Sequence, residues 1–169
     1  MDIDYKTVYQ AKPTEVLDIL TDISFLRDYA TELGASSHEA DVSRSGDSRS
    51  VKLRLVAPTD EIAAIFRSLV GPEIIVTDTR NWAPDGAGGY RSPLRVEAIA
   101  NGRTASVSGS LSLTPDGCSC SFTALADVSL KVRFIGALAK GAVAEIGTGS
   151  LEDQTTVLYR WLARMRCPT

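Results

Sequence analysis

A carboxylate, a guanidinium and an indole alternate along one predicted strand of this sequence. Asp78, Arg80 and Trp82 stand two residues apart, so on a strand their side chains share one face. If that face points inward, the ion pair could orient the polar head of a ligand or carry out acid–base chemistry, because buried charges need partners. If Ile75 and Thr77 point inward instead, the pair is merely solvated. Both faces carry apolar residues, and we favour the solvated orientation.

Other groups that could do chemistry give weaker signals. The single histidine, His38, lies in a strand of mixed polarity, and we interpret it as an exposed or structural residue. Cys118 and Cys120 would share one face of a strand, and without further histidines we expect structural thiols and no metal site. No Gly-x-Ser-x-Gly elbow occurs, and the glycine spacing at 136–141 lacks the lysine of a phosphate loop. We therefore predict no catalytic residue and no cofactor, and enzymatic activity stays uncertain.

The composition is that of an ordinary globular protein. The chain has 169 residues, of which 44% are hydrophobic and 23% charged, and its formal net charge is −3. A chain of this length is most simply one domain, residues 1–169, with room for a sizeable core. The sequence lacks a basic stripe for nucleic acid, a signal peptide and an apolar run long enough to span a bilayer. Free thiols fit a reducing cytoplasm, and the oligomeric state is left open.

The element that must position these groups is a long amphipathic helix near the C-terminal end. From Phe134 to Met165, apolar or small residues recur in steps of three and four, which keeps one face of the helix apolar. Gly147 and Gly149 lie inside this segment and weaken the helix relative to alanine. We therefore predict a kink or break between Ile146 and Leu151, which would let the first half of the helix move.

Before this helix, most of the chain alternates with the period of β-strands. The predicted strands span residues 3–10, 36–43, 49–57, 74–82, 90–100, 105–113 and 118–131. Two short helices follow the first strand: Pro13 begins the first, and Gly34 ends the second. Another short helix follows Pro58. The predicted fold class is α+β, an antiparallel sheet of about six to seven strands with a long C-terminal helix packed on it.

This order of elements resembles the helix-grip fold of the START-like superfamily, also called SRPBCC, which includes the Bet v 1 allergens. The segment Ala11 to Asp22 is similar to the opening helix of many START-like proteins. The run Val70-Gly71-Pro72, a following strand that ends in Trp82, and the helix end Tyr159-Arg160-Trp161-Leu162 resemble an actinobacterial family of unknown function, DUF2505. The resemblance implies a curved sheet wrapped around the final helix, with a cavity between them.

That resemblance implies a protein that binds a small hydrophobic or amphipathic molecule, lipid-like or polyketide-like. One alternative is a cyclase or aromatase that uses the same cavity, for which an inward Asp78–Arg80 pair would be the distinguishing feature. The other is a non-catalytic interaction module with a filled interior. Small residues on the inner strand faces favour a cavity: Ala105, Gly109, Ala124 and Ala126. The expected ligand-binding residues are Tyr5, Tyr9, Leu53, Val76, Asp78, Arg80, Trp82, Leu94, Val107, Phe122, Ala124, Leu138, Ala142 and Ile146.

Overall fold

The computed structural model describes residues 1–131 and 136–166 and contains seven strands and four helices in those ranges. In chain order they are β1 (Ile3–Tyr9), α1 (Pro13–Leu20), α2 (Ile23–Glu32), β2 (Ser37–Ser45), β3 (Ser48–Pro58), α3 (Ala64–Val70), β4 (Glu73–Pro84), β5 (Tyr90–Ala100), β6 (Arg103–Asp116), β7 (Ser119–Leu130) and α4 (Gly136–Arg166). The predicted α+β class is confirmed, and the strand ends differ from the predicted ones by only a few residues. The predicted helix start at Phe134 and the third cysteine, Cys167, lie outside the described residues.

The strands form one curved antiparallel sheet in the order β1-β7-β6-β5-β4-β3-β2. Strands β2 to β6 each pair with the next strand in the chain, as hairpin connections require. Strand β1 pairs with β7 instead, with Ile3 opposite Ala126, so α1 and α2 carry the chain from one edge of the sheet to the other. Helix α4 packs on β1 and β7 and against α1 and α2, which is the helix-grip arrangement.

The two short helices begin and end where the sequence provides the chemistry for it. Pro13 occupies the first turn of α1, where its missing N–H leaves no hydrogen bond unmade. Asp22 caps α2, because its Oδ1 accepts from the backbone N–H groups of Ser24 at 2.7 Å and Phe25 at 3.3 Å. Gly34 follows α2 in the left-handed conformation, with φ of 74°.

Helix α4 continues without interruption from Gly136 to Arg166, so the predicted break between Ile146 and Leu151 is wrong. Packing against the sheet offsets the weak helix propensity of the glycines. A Cβ atom on Gly147 would lie only 2.7 Å from Ile3 Cδ1, so this glycine lets the helix approach β1 closely. A Cβ atom on Gly149 would meet no atom within 4 Å, so this glycine is not needed for close packing.

We expect Gly149→Ala to raise the free energy of unfolding by about 1 kcal/mol, because alanine loses less backbone entropy in a helix and meets open space here. The matched control is Gly147→Ala, whose new methyl group must displace the Ile3 side chain. Urea unfolding of both variants measures the difference. Equal gains in the two variants would contradict the close approach at Gly147.

Candidate functional site

An apolar cleft of about 130 Å³ lies between α3, one end of the sheet and the first half of α4. Helix α3 and the loop before it contribute Ile62, Phe66, Leu69 and Val70. The sheet contributes Ile74, Ala98, Ala100, Arg103, Thr104, Ala105 and Leu130, and α4 contributes Ala139, Ala142, Val143 and Ile146. The cleft opens to solvent, since Thr104 and Ile146 on its boundary are exposed.

Small side chains create this cleft. Ala98, Ala100 and Ala105 lie on the sheet side, opposite Ala139 and Ala142 of α4. Larger aliphatic residues at these five positions would fill the space between the sheet and the helix. The sequence argument from small residues is therefore correct for Ala105, which does line the cleft.

The same argument fails at the other small positions. A Cβ atom on Gly109 would clash with the Leu125 carbonyl oxygen and lie 2.6 Å from Ala126 Cα, so the missing side chain is replaced by the backbone of β7. Ala124 and Ala126 are fully buried in the core and do not line the cleft. Small residues on this part of the sheet permit close strand packing and leave no space for a ligand.

Among residues 1–131 and 136–166, no side chain that lines the cleft is suited to proton transfer. Within those ranges the one charged lining residue is Arg103, which is exposed and whose Nη1 donates to the Leu69 carbonyl oxygen over 3.1 Å. Every other lining side chain except Thr104 is apolar. The cleft can therefore remove apolar surface of a small molecule from water, while the polar part of that molecule would face Arg103 or solvent.

A second cluster, which we call the polar core, consists of Asp78, Arg80 and Gln154. The Arg80 side chain is 7% exposed, so the favoured solvated orientation of this strand is wrong. Its Nε and Nη2 atoms donate to the two carboxylate oxygens of Asp78 at 3.1 and 2.8 Å, and its Nη1 donates to Gln154 Oε1 at 2.6 Å. The inward face of β4 is stable because the guanidinium finds these partners away from water.

The electrostatics of the polar core keep Arg80 charged. Burial alone lowers the pKa of its guanidinium, but the adjacent Asp78 carboxylate outweighs burial, and the pKa is raised overall. Tyr29 lines the same region, and its pKa is raised by burial of the phenol. A charged guanidinium and a neutral phenol therefore face one another across this region at neutral pH.

The two predicted tyrosines are held by α4. The hydroxyls of Tyr5 and Tyr9 each share a hydrogen bond with Thr155 Oγ1, at 2.8 and 3.0 Å. Burial raises the pKa of Tyr9 to about 12, although the hydrogen bond with Thr155 opposes that rise. Both rings pack on Phe122, so these residues join β1 to the helix inside the core.

The structure divides the fourteen predicted ligand-binding residues into four groups. Ala142 and Ile146 line the apolar cleft, while Leu53, Asp78 and Arg80 line a small hollow beside the polar core. Eight residues line neither space: Tyr5, Tyr9, Val76, Trp82, Leu94, Val107, Phe122 and Ala124. Leu138 is 64% exposed and lies off the cleft, because it is one position away from the helix face formed by Ala139, Ala142 and Ile146.

Sequence reasoning missed the contribution of α3 and of Gln154. The apolar residues of α3 were visible in the sequence, but their position beside the same cleft as α4 depends on tertiary packing. Gln154 had a clearer signal: it stands three residues after Leu151 and four before Leu158, so a polar residue occurs within the apolar stripe of α4.

Metal-binding and membrane-spanning features are missing from the residues that the structure describes. Within residues 1–131 and 136–166, no three His, Cys, Asp or Glu side chains are placed to hold a metal ion. Cys118 lies in the turn before β7 and is exposed, so the predicted common face with the buried Cys120 is wrong. Burial raises the pKa of the Cys120 thiol to about 11. None of the described helices is long and apolar enough to cross a membrane.

A curved antiparallel sheet that wraps a long C-terminal helix is the helix-grip fold that the sequence predicted. The chain belongs to DUF2505, a family of proteins of unknown function, whose sequence profile matches residues 4–162. None of the curated proteins matches the sequence.

Solved structures share this fold at low sequence identity. A conserved protein from Geobacillus kaustophilus is 18% identical, with a TM-score of 0.61 over 95% of this chain and 94% of that one. A STAR-related lipid transfer protein (fragment 25–204) from Xanthomonas axonopodis is 17% identical, with a TM-score of 0.59 over 94% and 87%. A norcoclaurine synthase point mutant from Thalictrum is 12% identical, with a TM-score of 0.56 over 98% and 95%. At these identities the likeness establishes the fold alone.

Proposed function

We propose that this protein binds a small hydrophobic or amphipathic molecule, lipid-like or polyketide-like, in the cleft under α3. The observation that carries the proposal is the cleft itself, an almost wholly apolar concave surface that opens to solvent. Such a surface gains free energy when an apolar ligand replaces water on it. The cytoplasmic location that we propose rests on the free thiols Cys118 and Cys120.

The volume of the cleft limits what it can enclose. Its roughly 130 Å³ is close to the ~150 Å³ of an engineered apolar cavity that binds benzene. The enclosed part of a ligand is therefore about one aromatic ring or a short alkyl segment. A longer molecule would extend through the open side, past Arg103, whose spare guanidinium N–H groups can donate hydrogen bonds to a polar end of the ligand.

The named relatives support a ligand-binding role in general terms. One protein with this fold is a STAR-related lipid transfer protein, and another is norcoclaurine synthase, an enzyme. Both names are consistent with a fold that receives small organic molecules. The fold does not choose between a carrier and an enzyme, so the choice depends on the site.

The polar core bears on the enzyme alternative. An inward Asp78–Arg80 pair is the feature that would favour a cyclase or aromatase, and the pair does point inward. However, both side chains line a hollow of only about 10 Å³ and neither lines the apolar cleft. Both carboxylate oxygens of Asp78 also already accept hydrogen bonds from Arg80. These two facts favour binding over catalysis.

We expect Ala142→Phe to weaken binding of the fluorescent fatty acid cis-parinaric acid by about tenfold or more, equivalent to about 1.4 kcal/mol or more. The phenyl ring would occupy the cleft from the α4 side. The matched control is Ala137→Phe, which lies between one and two turns earlier in α4, exposed and outside the cleft. Fluorescence titration of both variants and the parent protein makes the comparison.

Native mass spectrometry of freshly purified protein tests the same proposal without a chosen probe. A bound small molecule that is retained by the Ala137→Phe variant and lost from the Ala142→Phe variant would support the cleft as the binding site. Equal retention by both variants would place the ligand elsewhere. No probe binding and no co-purified molecule in the parent protein would leave the interaction module as the better explanation.

A further inference from the structure

One buried donor in the polar core has no hydrogen-bond partner. Gln154 is 1% exposed, and its Nε2 atom contacts no acceptor among the described residues. The amide cannot be flipped to relieve this, because its Oε1 must accept from Arg80 Nη1 over 2.6 Å. The amide lies near the Tyr9 hydroxyl, yet the two groups do not reach hydrogen-bond geometry. An unpaired buried N–H of this kind is costly, and native structures rarely leave it so.

A small hollow lies beside this donor. Its volume is about 10 Å³, which is close to the least space that one water molecule needs. Four of its lining residues are polar, namely Tyr29, Asp78, Arg80 and Gln154, and the other five are apolar residues of α1, α2 and β3. The hollow shares no lining residue with the apolar cleft, so it is a separate site.

We infer that this hollow is a hydration site for one water molecule, which accepts a hydrogen bond from Gln154 Nε2. A water there has the two to four polar partners that buried waters need, because Asp78 offers acceptor lone pairs and Arg80 has N–H groups beyond the three already used. The water completes the polar core and links α4 to β4. The hollow is too small for an organic ligand, so water is the only occupant of the right size and chemistry.

Oxygen-17 magnetic relaxation dispersion, which counts long-lived waters inside a protein, tests this inference. Gln154→Met removes the unpaired donor, and Val51→Ile adds a methylene to the apolar lining of the hollow without touching a polar group. We expect each variant to lose about one long-lived water relative to the parent protein. The matched control is Val107→Ile, a buried valine on the sheet that lines neither the hollow nor the cleft.

Thermal melts of the two valine variants provide an independent test, because a dry and a hydrated hollow predict opposite changes in melting temperature for Val51→Ile. If the hollow is dry, the added methylene of Val51→Ile fills a void and should hold or raise the melting temperature. If the hollow holds a water molecule, the added methylene displaces that water and leaves Gln154 Nε2 without a hydrogen-bond partner. The melting temperature should then fall by roughly 2–10 °C. An unchanged water count in every variant that folds, together with a stable Val51→Ile, would overturn the inference.

Discussion

Replacing Arg80 by methionine should lower the free energy of unfolding by about 3–5 kcal/mol, because it leaves a buried carboxylate without its partner. Asp78 is 15% exposed, and both of its oxygens accept from this one guanidinium. The substitution also removes the donor to Gln154 Oε1, so a second polar group loses its bond. Urea unfolding followed by circular dichroism gives the size of the loss.

A surface ion pair provides the matched control. Arg160 and Glu32 also form a two-bond pair, but the Arg160 side chain is 58% exposed. Arg160→Met should therefore cost less than about 1 kcal/mol, since water can solvate the carboxylate that remains. Equal losses in the two variants would mean that the Asp78 carboxylate finds other partners when Arg80 is removed.

The double variant Asp78→Leu, Arg80→Met separates the cost of an orphaned charge from the value of the pair. Removing both charges should recover most of the loss, because buried pairs contribute little net stability relative to apolar residues of similar size. A double variant as unstable as the single one would show that the pair itself, and not the orphaned carboxylate, carries the stability.

The fold could be predicted from the sequence because local signals agree with each other. Alternating strands, turn residues and a long helical period each identify one element, and their order matches a single known arrangement. The start of the first helix and the end of the second were predicted from Pro13 and Gly34, whose roles depend only on neighbouring backbone atoms. The break in α4 was predicted wrongly because tertiary packing, which the sequence does not display, outweighs glycine propensity.

The site was harder to predict because it depends on contacts between distant residues. Both faces of β4 contain apolar residues, and the inward face is decided by Gln154, which lies 74 residues from Arg80 in the chain. The cleft depends on α3, a helix with no fully buried residue of its own, which lines it together with α4 and the alanines of the sheet. Neither arrangement leaves a signal in a single strand or helix.

Ala124→Trp should be among the most destabilising substitutions on the inner face of the sheet. Ala124 is fully buried, lies opposite Tyr5 of β1 and Leu111 of β6, and lines neither the cleft nor the hollow. An indole has no space there, so we expect a loss of about 3 kcal/mol or more, the upper end of overpacking costs. For a chain of this length, that loss lowers the melting temperature by roughly 6–12 °C.

Ala105→Trp is the matched comparison, because it makes the same change on the same face of the sheet but inside the cleft. Its indole can occupy the open apolar space, so the melting temperature should change little while binding of cis-parinaric acid is lost. The pair of variants therefore tests where the interior is filled and where it is open. Similar melting temperatures for both variants would contradict the filled core at Ala124. A large drop in the melting temperature of Ala105→Trp, together with probe binding as strong as that of the parent protein, would show that the ligand site lies outside the cleft.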